Sequence, residues 1–282
     1  MGMFLMDGVN QSNFLVFRLF EWYNAEVAKV KRIIVANWKM NPSSVKEAGK
    51  LFSDVVKAIP SLKNTEVVIC PPFLYLEQLR KISRKIILGA QDVSSEECGA
   101  FTGDVSAEML FNMGAKYVIT GHSERRARGE GNSDVNKKIK SALSVGLVPI
   151  LCVGESARDE SHGYFNLVKT QLEECLNGIQ KASISNIIIA YEPVWAISST
   201  VNRQDAIPAD CREMVIFIRK IISDKIGVQT KMPKILYGGS VNDKDVEGFL
   251  KDGGVDGVLV GRASLDAEKF SNIIKVCEAL NK

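Results

Sequence analysis

Two residues suited to proton transfer follow short apolar runs in this chain. Glu192 comes two residues after the run 187–190, and His122 two residues after the run 117–120. A carboxylate at the end of an apolar run is a candidate general base, since its charge is costly there unless it is used or paired. His122 precedes Ser123-Glu124-Arg125-Arg126, which we expect to begin a helix. A helix amino terminus favours the neutral imidazole, which can donate a hydrogen bond to a substrate oxygen.

Both residues also have a structural interpretation. His122 could simply cap a helix or lie at the surface. Glu192 could form an ion pair at the rim of a sheet, for example with Lys39. The position of each residue at the end of an apolar run favours the catalytic interpretation.

A cation, an amide and two glycine turns indicate an anionic substrate. Asn37 and Lys39 follow the run 33–36, and Trp38 and Met40, which alternate with them, are expected to point into packing. Gly238-Gly239-Ser240 and Gly261-Arg262 follow the runs 234–237 and 258–260. Such turns can hold a phosphate with backbone N–H groups.

Eight apolar runs of this kind are distributed along the chain, at 33–36, 67–70, 86–90, 117–120, 148–152, 187–190, 234–237 and 258–260. Short β-branched runs separated by helical patterns are typical of parallel strands buried on both faces. Polar residues at the carboxyl ends of several strands are typical of a (β/α)8 barrel, an α/β fold of about 250 residues that forms one domain. An open doubly wound sheet is the alternative, but its G-x-G-x-x-G fingerprint does not follow the first run.

Helix boundaries are readable in three places. Ser44, with Glu47 three residues later, predicts a capping box for a helix that Pro60 ends. Ser133 or Asp134 is expected to cap a second helix that ends at Gly146. Pro208 is expected to open a third, which ends near Gly227.

Composition excludes several classes of protein. The net charge is +3, with acidic and basic residues intermixed, so nothing indicates a nucleic-acid or membrane partner. The six cysteines are scattered without C-x-x-C spacing. They indicate reduced structural thiols of a cytoplasmic protein, with neither a disulfide framework nor a metal site.

Five motifs together resemble the triosephosphate isomerases, in the order and approximate spacing of that family. They are Asn37-Trp38-Lys39-Met40-Asn41, the segment 121–126, the segment 190–196, Tyr237-Gly238-Gly239-Ser240-Val241 and the segment 257–265. The resemblance covers about residues 32 to 280. It implies interconversion of dihydroxyacetone phosphate and glyceraldehyde 3-phosphate in glycolysis and gluconeogenesis, without a metal or an organic cofactor.

The resemblance also implies a role for each site residue. Glu192 would be the base, His122 the electrophile that polarises the carbonyl, and Lys39 with Asn37 would stabilise negative charge. The phosphate would be held by Ser198, Ser240, Gly261 and Arg262. Pro193-Val194-Trp195 resembles the first hinge of the family's lid.

The chain departs from the common family pattern at two places. Ser198-Ser199-Thr200 stands where the family often has Gly-Thr-Gly, and Arg262 stands where a second glycine is usual. We expect these changes to affect the kinetics of the lid more than the type of reaction. Ala100-Phe101-Thr102-Gly103 resembles the loop through which Thr102 would reach the active site of a second subunit, which implies a homodimer.

Two other functions remain open at this point. A different sugar-phosphate isomerase or aldolase would use the same barrel, and a Schiff-base aldolase would need a strand lysine, for which Lys39 is the obvious candidate. A non-catalytic phosphate-binding relative should have lost Glu192 or His122, and both are present.

Residues 1–31 are expected to form an extension that precedes a barrel domain of residues 32–282. The apolar segment 14–20 is too short to cross a bilayer and is interrupted by Arg18. It also lacks the pattern of a secretory signal. One hypothesis is an appended amphipathic helix; the other is a start site assigned too far upstream, with translation beginning at Val30.

Overall fold

The computed structural model describes residues 31–197 and 204–280 of the chain. Within these residues, parallel strands pair in sequence order and close into a barrel, with the last strand hydrogen-bonded to the first. The strands are β1 (Arg32–Asn37), β2 (Thr65–Cys70), β3 (Ile87–Ala90), β4 (Tyr117–Thr120), β5 (Val148–Val153), β6 (Ile188–Tyr191), β7 (Lys234–Tyr237) and β8 (Gly257–Val260). The predicted (β/α)8 barrel is therefore confirmed, and the predicted strands agree with the observed ones to within two residues at each end.

Burial on both faces of the strands explains their continuous apolar sequences. Along β1, Ile33 and Val35 belong to the cluster that fills the barrel, whereas Ile34 and Ala36 pack in the layer between the barrel and the helices. Because side chains alternate between the two faces of a strand, the middle of a strand is apolar on both faces. Polar side chains therefore collect at the rim.

The helices surround the barrel. They are α1 (Val45–Ala58), α2 (Leu76–Ile82), α3 (Ala107–Asn112), α4 (Ser123–Arg126), α5 (Asn132–Ser144), α6 (Gly163–Cys175), α7 (Lys181–Ile184), α8 (Pro208–Ile226), α9 (Val246–Asp252) and α10 (Ala267–Ala279). Pro208 is the first residue of α8 and Gly227 follows its last, as the sequence predicts.

Two of the predicted helix starts differ from the structure in detail. Ser44 caps α1 by accepting the Glu47 N–H, but the Glu47 carboxylate accepts from the Ser43 hydroxyl, so no reciprocal capping-box bond to Ser44 is recorded. The prediction that Ser133 or Asp134 caps α5 was wrong. Gly131 is the cap residue, and the Asp134 side chain accepts its N–H at 3.1 Å. The carboxylate therefore acts from inside the first turn rather than at the cap.

Neither the helices nor the cysteines of the described residues indicate a membrane span or a disulfide. No helix in the described part of the chain is both long enough and apolar enough to cross a bilayer. All six cysteines are unpaired, and Cys98 is the exposed one. The five buried thiols serve as small apolar groups in the packing.

Candidate active site

Residues from the carboxyl ends of five strands line one cavity at the rim of the barrel. Asn37 is the last residue of β1, and Glu192 directly follows β6. His122 caps α4, two residues after β4. The turns that contain Gly238 and Gly261 follow β7 and β8 and line the same cavity. The closed barrel therefore brings together residues that are more than 200 positions apart.

Glu192 and His122 face each other in this cavity. The distance between Glu192 Oε1 and His122 Nε2 is 3.1 Å, and their side chains are 3% and 8% exposed. Glu192 Oε2 accepts the backbone N–H of Ser123 at 3.0 Å. Oε1 has no aligned hydrogen-bond donor within the described residues. One carboxylate oxygen is thus anchored, and the other faces the His122 ring.

The cap position of His122 defines its tautomer. Its Nδ1 accepts the backbone N–H of Glu124 at 3.2 Å, so Nδ1 carries no proton. A neutral ring then carries its proton on Nε2, the nitrogen that faces Glu192. The capping interpretation and the catalytic one are therefore compatible, because the ring uses a different nitrogen for each.

Two glycines allow the backbone to close around Glu192. A Cβ at Gly154 would lie 1.8 Å from the Glu192 carbonyl oxygen, and a Cβ at Gly238 would lie 2.9 Å from Glu192 Cγ. Both distances are shorter than real Cβ contacts, so residues 154 and 238 must be glycine for this packing. Glu192 is therefore held in a close-fitting pocket.

A buried thiol lies beside Glu192. Burial, together with the charge of Glu192 and a hydrogen bond to it, raises the pKa of Cys152 well above its ordinary value. The thiol therefore stays protonated and does not compete with Glu192 as a base or a nucleophile.

Lys39 is held on a strained backbone. It has a left-handed φ of 53°, which is uncommon for a residue other than glycine. Its N–H donates to Asn37 Oδ1 at 3.0 Å, and its carbonyl accepts from Gln91 Nε2 at 2.8 Å. The expectation that Met40 points into packing was wrong: Met40 is 92% exposed, whereas Trp38 is buried. The left-handed turn at Lys39 interrupts the strand alternation on which that expectation depended.

The ammonium of Lys39 is paired with Glu124, not with Glu192. The distance between Lys39 Nζ and Glu124 Oε1 is 2.6 Å. The proposed rim ion pair between Glu192 and Lys39 is therefore not formed. Lys39 also lies beyond the end of β1, not on a central strand as a Schiff-base aldolase would require.

Part of the predicted phosphate site lies beside these groups. Ser240, Gly261 and Arg262 line the cavity together with Lys39 and Glu192. Gly239 adjoins the buried Tyr237 ring so closely that a Cβ would lie 2.3 Å from the phenol oxygen. Ser198 lies outside the described residues. Thr102, from the predicted dimer loop, lies in an exposed turn away from this cavity.

Several residues that support the site were not predicted from the sequence. Glu124 pairs with Lys39, Gln91 binds the Lys39 carbonyl, and Glu155 accepts from Trp195 and Tyr191. Gln91 directly follows β3, and Glu155 lies two residues after β5. The strand-end rule that identified Glu192 would also have found these two.

The described residues contain no cluster of three or more His, Cys, Asp or Glu side chains that could hold a metal ion. The cavity offers instead a carboxylate, an imidazole, an ammonium and backbone turns, which can transfer protons and bind an anion.

The comparisons with known proteins agree with this arrangement. The sequence profile of the family described as triosephosphate isomerase matches residues 32–277. A protein of that name from Caldanaerobacter subterraneus subsp. tengcongensis is 42% identical over 247 residues, covering 86% of this chain and 98% of the relative. The one from Aquifex aeolicus is 41% identical over 249 residues, covering 87% and 99%. A third, from Dehalococcoides mccartyi, is 42% identical over 248 residues, covering 86% and 95%. This chain belongs to the triosephosphate isomerase family.

Proposed function

We propose that this protein is an isomerase that interconverts dihydroxyacetone phosphate and D-glyceraldehyde 3-phosphate. The observation that carries the proposal is the buried pair Glu192 and His122, 3.1 Å apart in a cavity that also contains Lys39 and two glycine turns. The reaction needs a base, a hydrogen-bond donor for the carbonyl, a countercharge and an anion site. This cavity supplies all four.

Glu192 is the base in this proposal. Its Oε1 removes a proton from the carbon next to the carbonyl, and the electron pair of the broken C–H bond forms the enediolate. The same carboxyl group then returns the proton to the neighbouring carbon, which had carried the carbonyl. The Ser123 N–H holds Oε2 and leaves Oε1 for both transfers.

His122 and Lys39 stabilise the charge that develops. The Nε2 proton of a neutral His122 donates to the carbonyl oxygen as it becomes an enediolate oxygen. The Lys39 ammonium adds positive charge, and the Asn37 side chain keeps the Lys39 backbone in place. A neutral donor suits this step because it can also exchange protons between the two enediolate oxygens.

The phosphate is assigned to the part of the cavity that the turns after β7 and β8 line. The backbone of Gly261 and Arg262, together with Ser198 and Ser240, would surround it, and the Ser240 N–H would exchange its 3.3 Å bond to the Ala196 carbonyl for one to the phosphate. Binding the phosphate there directs the reacting carbons toward Glu192. The enclosure also excludes water from an enediolate that could otherwise expel phosphate.

Replacement of the two central residues tests the proposal. We expect Glu192→Gln and His122→Gln each to lower kcat by at least about 100-fold, because a positioned acid or base contributes roughly that much. The assay couples glyceraldehyde 3-phosphate turnover to a dehydrogenase, and the melting temperature shows that each variant is folded. Near-normal turnover in either variant would reject its assigned role.

We further propose a homodimer in which Thr102 completes the partner's site. The turn that carries Thr102 is exposed, and Phe101, Leu74 and Met40 expose large apolar side chains. Exposed apolar groups of this kind are typical of surfaces that a partner covers. Cytoplasmic localisation and a place in glycolysis and gluconeogenesis complete the proposal.

We also propose that the catalytic domain is residues 32–282 and that residues 1–31 are an extension. The support is the start of β1 at Arg32 and the start of the family match at residue 32. Residues 1–30 lie outside the described part of the chain.

A further inference from the structure

One arginine outside the predicted site connects the elements that carry the base. Arg158 follows β5 and contacts residues from four segments. These are Glu155 beside it, Tyr164 of α6, the pair Tyr191 at the end of β6 and Trp195 after it, and the first turns of α8. Its side chain is 21% exposed, so much of the guanidinium is removed from water.

The first set of contacts reaches the segment that contains Glu192. Arg158 Nη2 donates to the Tyr191 hydroxyl at 3.2 Å, and Nε donates to Glu155 Oε1 at 3.3 Å. Its guanidinium carbon lies 5.4 Å from the centre of the Trp195 ring. Tyr191 directly precedes Glu192 and Trp195 follows it by three positions, so Arg158 contacts both sides of the base.

Glu155 transmits the effect of this arginine. Its side chain is fully buried, and Oε1 accepts from both Tyr191 Oη and Trp195 Nε1 at 2.8 Å. The Glu155 carbonyl also accepts the Val194 N–H at 2.8 Å. A buried carboxylate needs a cation as well as hydrogen bonds, and Arg158 provides one.

The second set of contacts reaches α8. Arg158 Nη1 lies 3.0 Å from Glu213 Oε2 and 3.3 Å from Asp210 Oδ1, and Nη2 donates to the Asp210 carbonyl at 3.0 Å. Asp210 itself accepts the Ile207 N–H and fixes the start of the helix. The planar guanidinium is suited to this bridging, because its five donors point in fixed directions.

We propose that Arg158 is a positioning residue for the isomerisation. Its side chain joins the segment of Glu192 and Trp195 to the first turns of α8. This bridge holds Trp195 and the start of α8 together. The inference rests on the proposed isomerase function. Its consequence is that Arg158 controls both the placement of the base and the protection of the enediolate.

The test compares Arg158→Gln with Arg219→Gln. Arg219 is a matched control, since its side chain is 20% exposed and pairs with Asp256 at 3.1 Å, near the amino ends of β7 and β8. Two rates are measured for each variant, that of isomerisation and that of inorganic phosphate release. Phosphate is released when the electron pair of the enediolate breaks the C–O bond to the phosphate group. We expect Arg158→Gln to lower kcat about tenfold and to raise the ratio of phosphate release to isomerisation several-fold. Arg219→Gln should change neither by more than about twofold.

A second variant separates position from charge. Arg158→Lys keeps a cation among the carboxylates of Glu155, Asp210 and Glu213. A lysine cannot bridge the Glu192 segment and α8 at once, so we expect kcat and phosphate release to match those of Arg158→Gln. If Arg158→Gln does not fold, Arg158→Lys replaces it as the test variant. Equal kcat and equal phosphate release in Arg158→Gln and Arg219→Gln, or full activity of Arg158→Lys, would overturn the inference. An inactive wild-type protein would instead reject the proposed function, whatever the variants do.

Discussion

Adding one methyl group at Gly238 should displace the proposed base. Gly238 follows β7, donates its N–H to the Tyr191 carbonyl at 2.7 Å, and is not among the glycines with positive φ. Its backbone therefore accepts alanine, and the effect of Gly238→Ala is steric. The new Cβ would lie 2.9 Å from Glu192 Cγ, whereas ordinary contacts begin near 3.4 Å, so the side chain must move by about 0.5 Å or more.

This displacement has a calculable cost. A misplacement of about 1 Å at a reacting group costs roughly 100-fold in rate, so we expect kcat to fall between about 10- and 100-fold. The change in KM should be smaller, because the phosphate contacts assigned to Ser240 and Gly261 remain. Steady-state assays with glyceraldehyde 3-phosphate in the coupled system measure both constants.

Gly49→Ala provides the control. Gly49 lies inside α1, and a Cβ there would lie 3.4 Å from Gln78 Nε2, which is ordinary contact. We expect unchanged kcat and, from the better helix propensity of alanine, about 0.5–1 kcal/mol of added stability. A folded Gly238→Ala protein with kcat within about twofold of wild type would refute the close placement of Glu192.

Three further predictions concern assembly, pH and the amino terminus. If Thr102 completes the partner's site, specific activity should fall on dilution together with the dimer fraction in sedimentation, and a fully active monomer would contradict the dimer. Burial raises the pKa of all five buried thiols, Cys70, Cys152, Cys175, Cys211 and Cys277. Above about pH 9 the unfolded chain therefore loses protons that the folded protein retains, and the free energy of unfolding should fall by up to about 1.4 kcal/mol per thiol per pH unit. Urea unfolding at pH 8 and pH 10 measures this, and equal stability at both would contradict it. Finally, a protein that starts at Val30 should keep full activity. The intact mass of the native protein shows whether residues 1–29 are present. A mass that includes them rejects the hypothesis that the start site was assigned too far upstream.

The barrel was predictable because the same local sequence pattern repeats along the chain. Each strand is a short apolar run buried on both faces, and each run is followed by a helical pattern, so the number and order of elements are readable. Boundaries were less accurate where backbone geometry decided them. Gly131 caps α5 because Asp134 reaches back to its N–H, a bond that single-residue preferences do not reveal.

The residues of the candidate site were predictable in type but not in their partners. Their positions at strand ends identified Glu192, His122 and Lys39. The sequence did not reveal that Lys39 would adopt a left-handed φ, because that conformation depends on Asn37 and on Gln91 from another strand end. Long-range pairs of this kind depend on barrel closure, which brings strand ends together regardless of sequence separation.

The pairing of Lys39 with Glu124 bears directly on how the site works. A cation in contact with a carboxylate stabilises its charged form and weakens it as a base. The sequence allowed such a contact between Lys39 and Glu192, but Glu124 accepts the ammonium at 2.6 Å instead. Glu192 has the Ser123 N–H on one oxygen, the nearby His122 ring on the other, and the Cys152 thiol beside it. Glu124 thus holds the Lys39 ammonium apart from the Glu192 carboxylate.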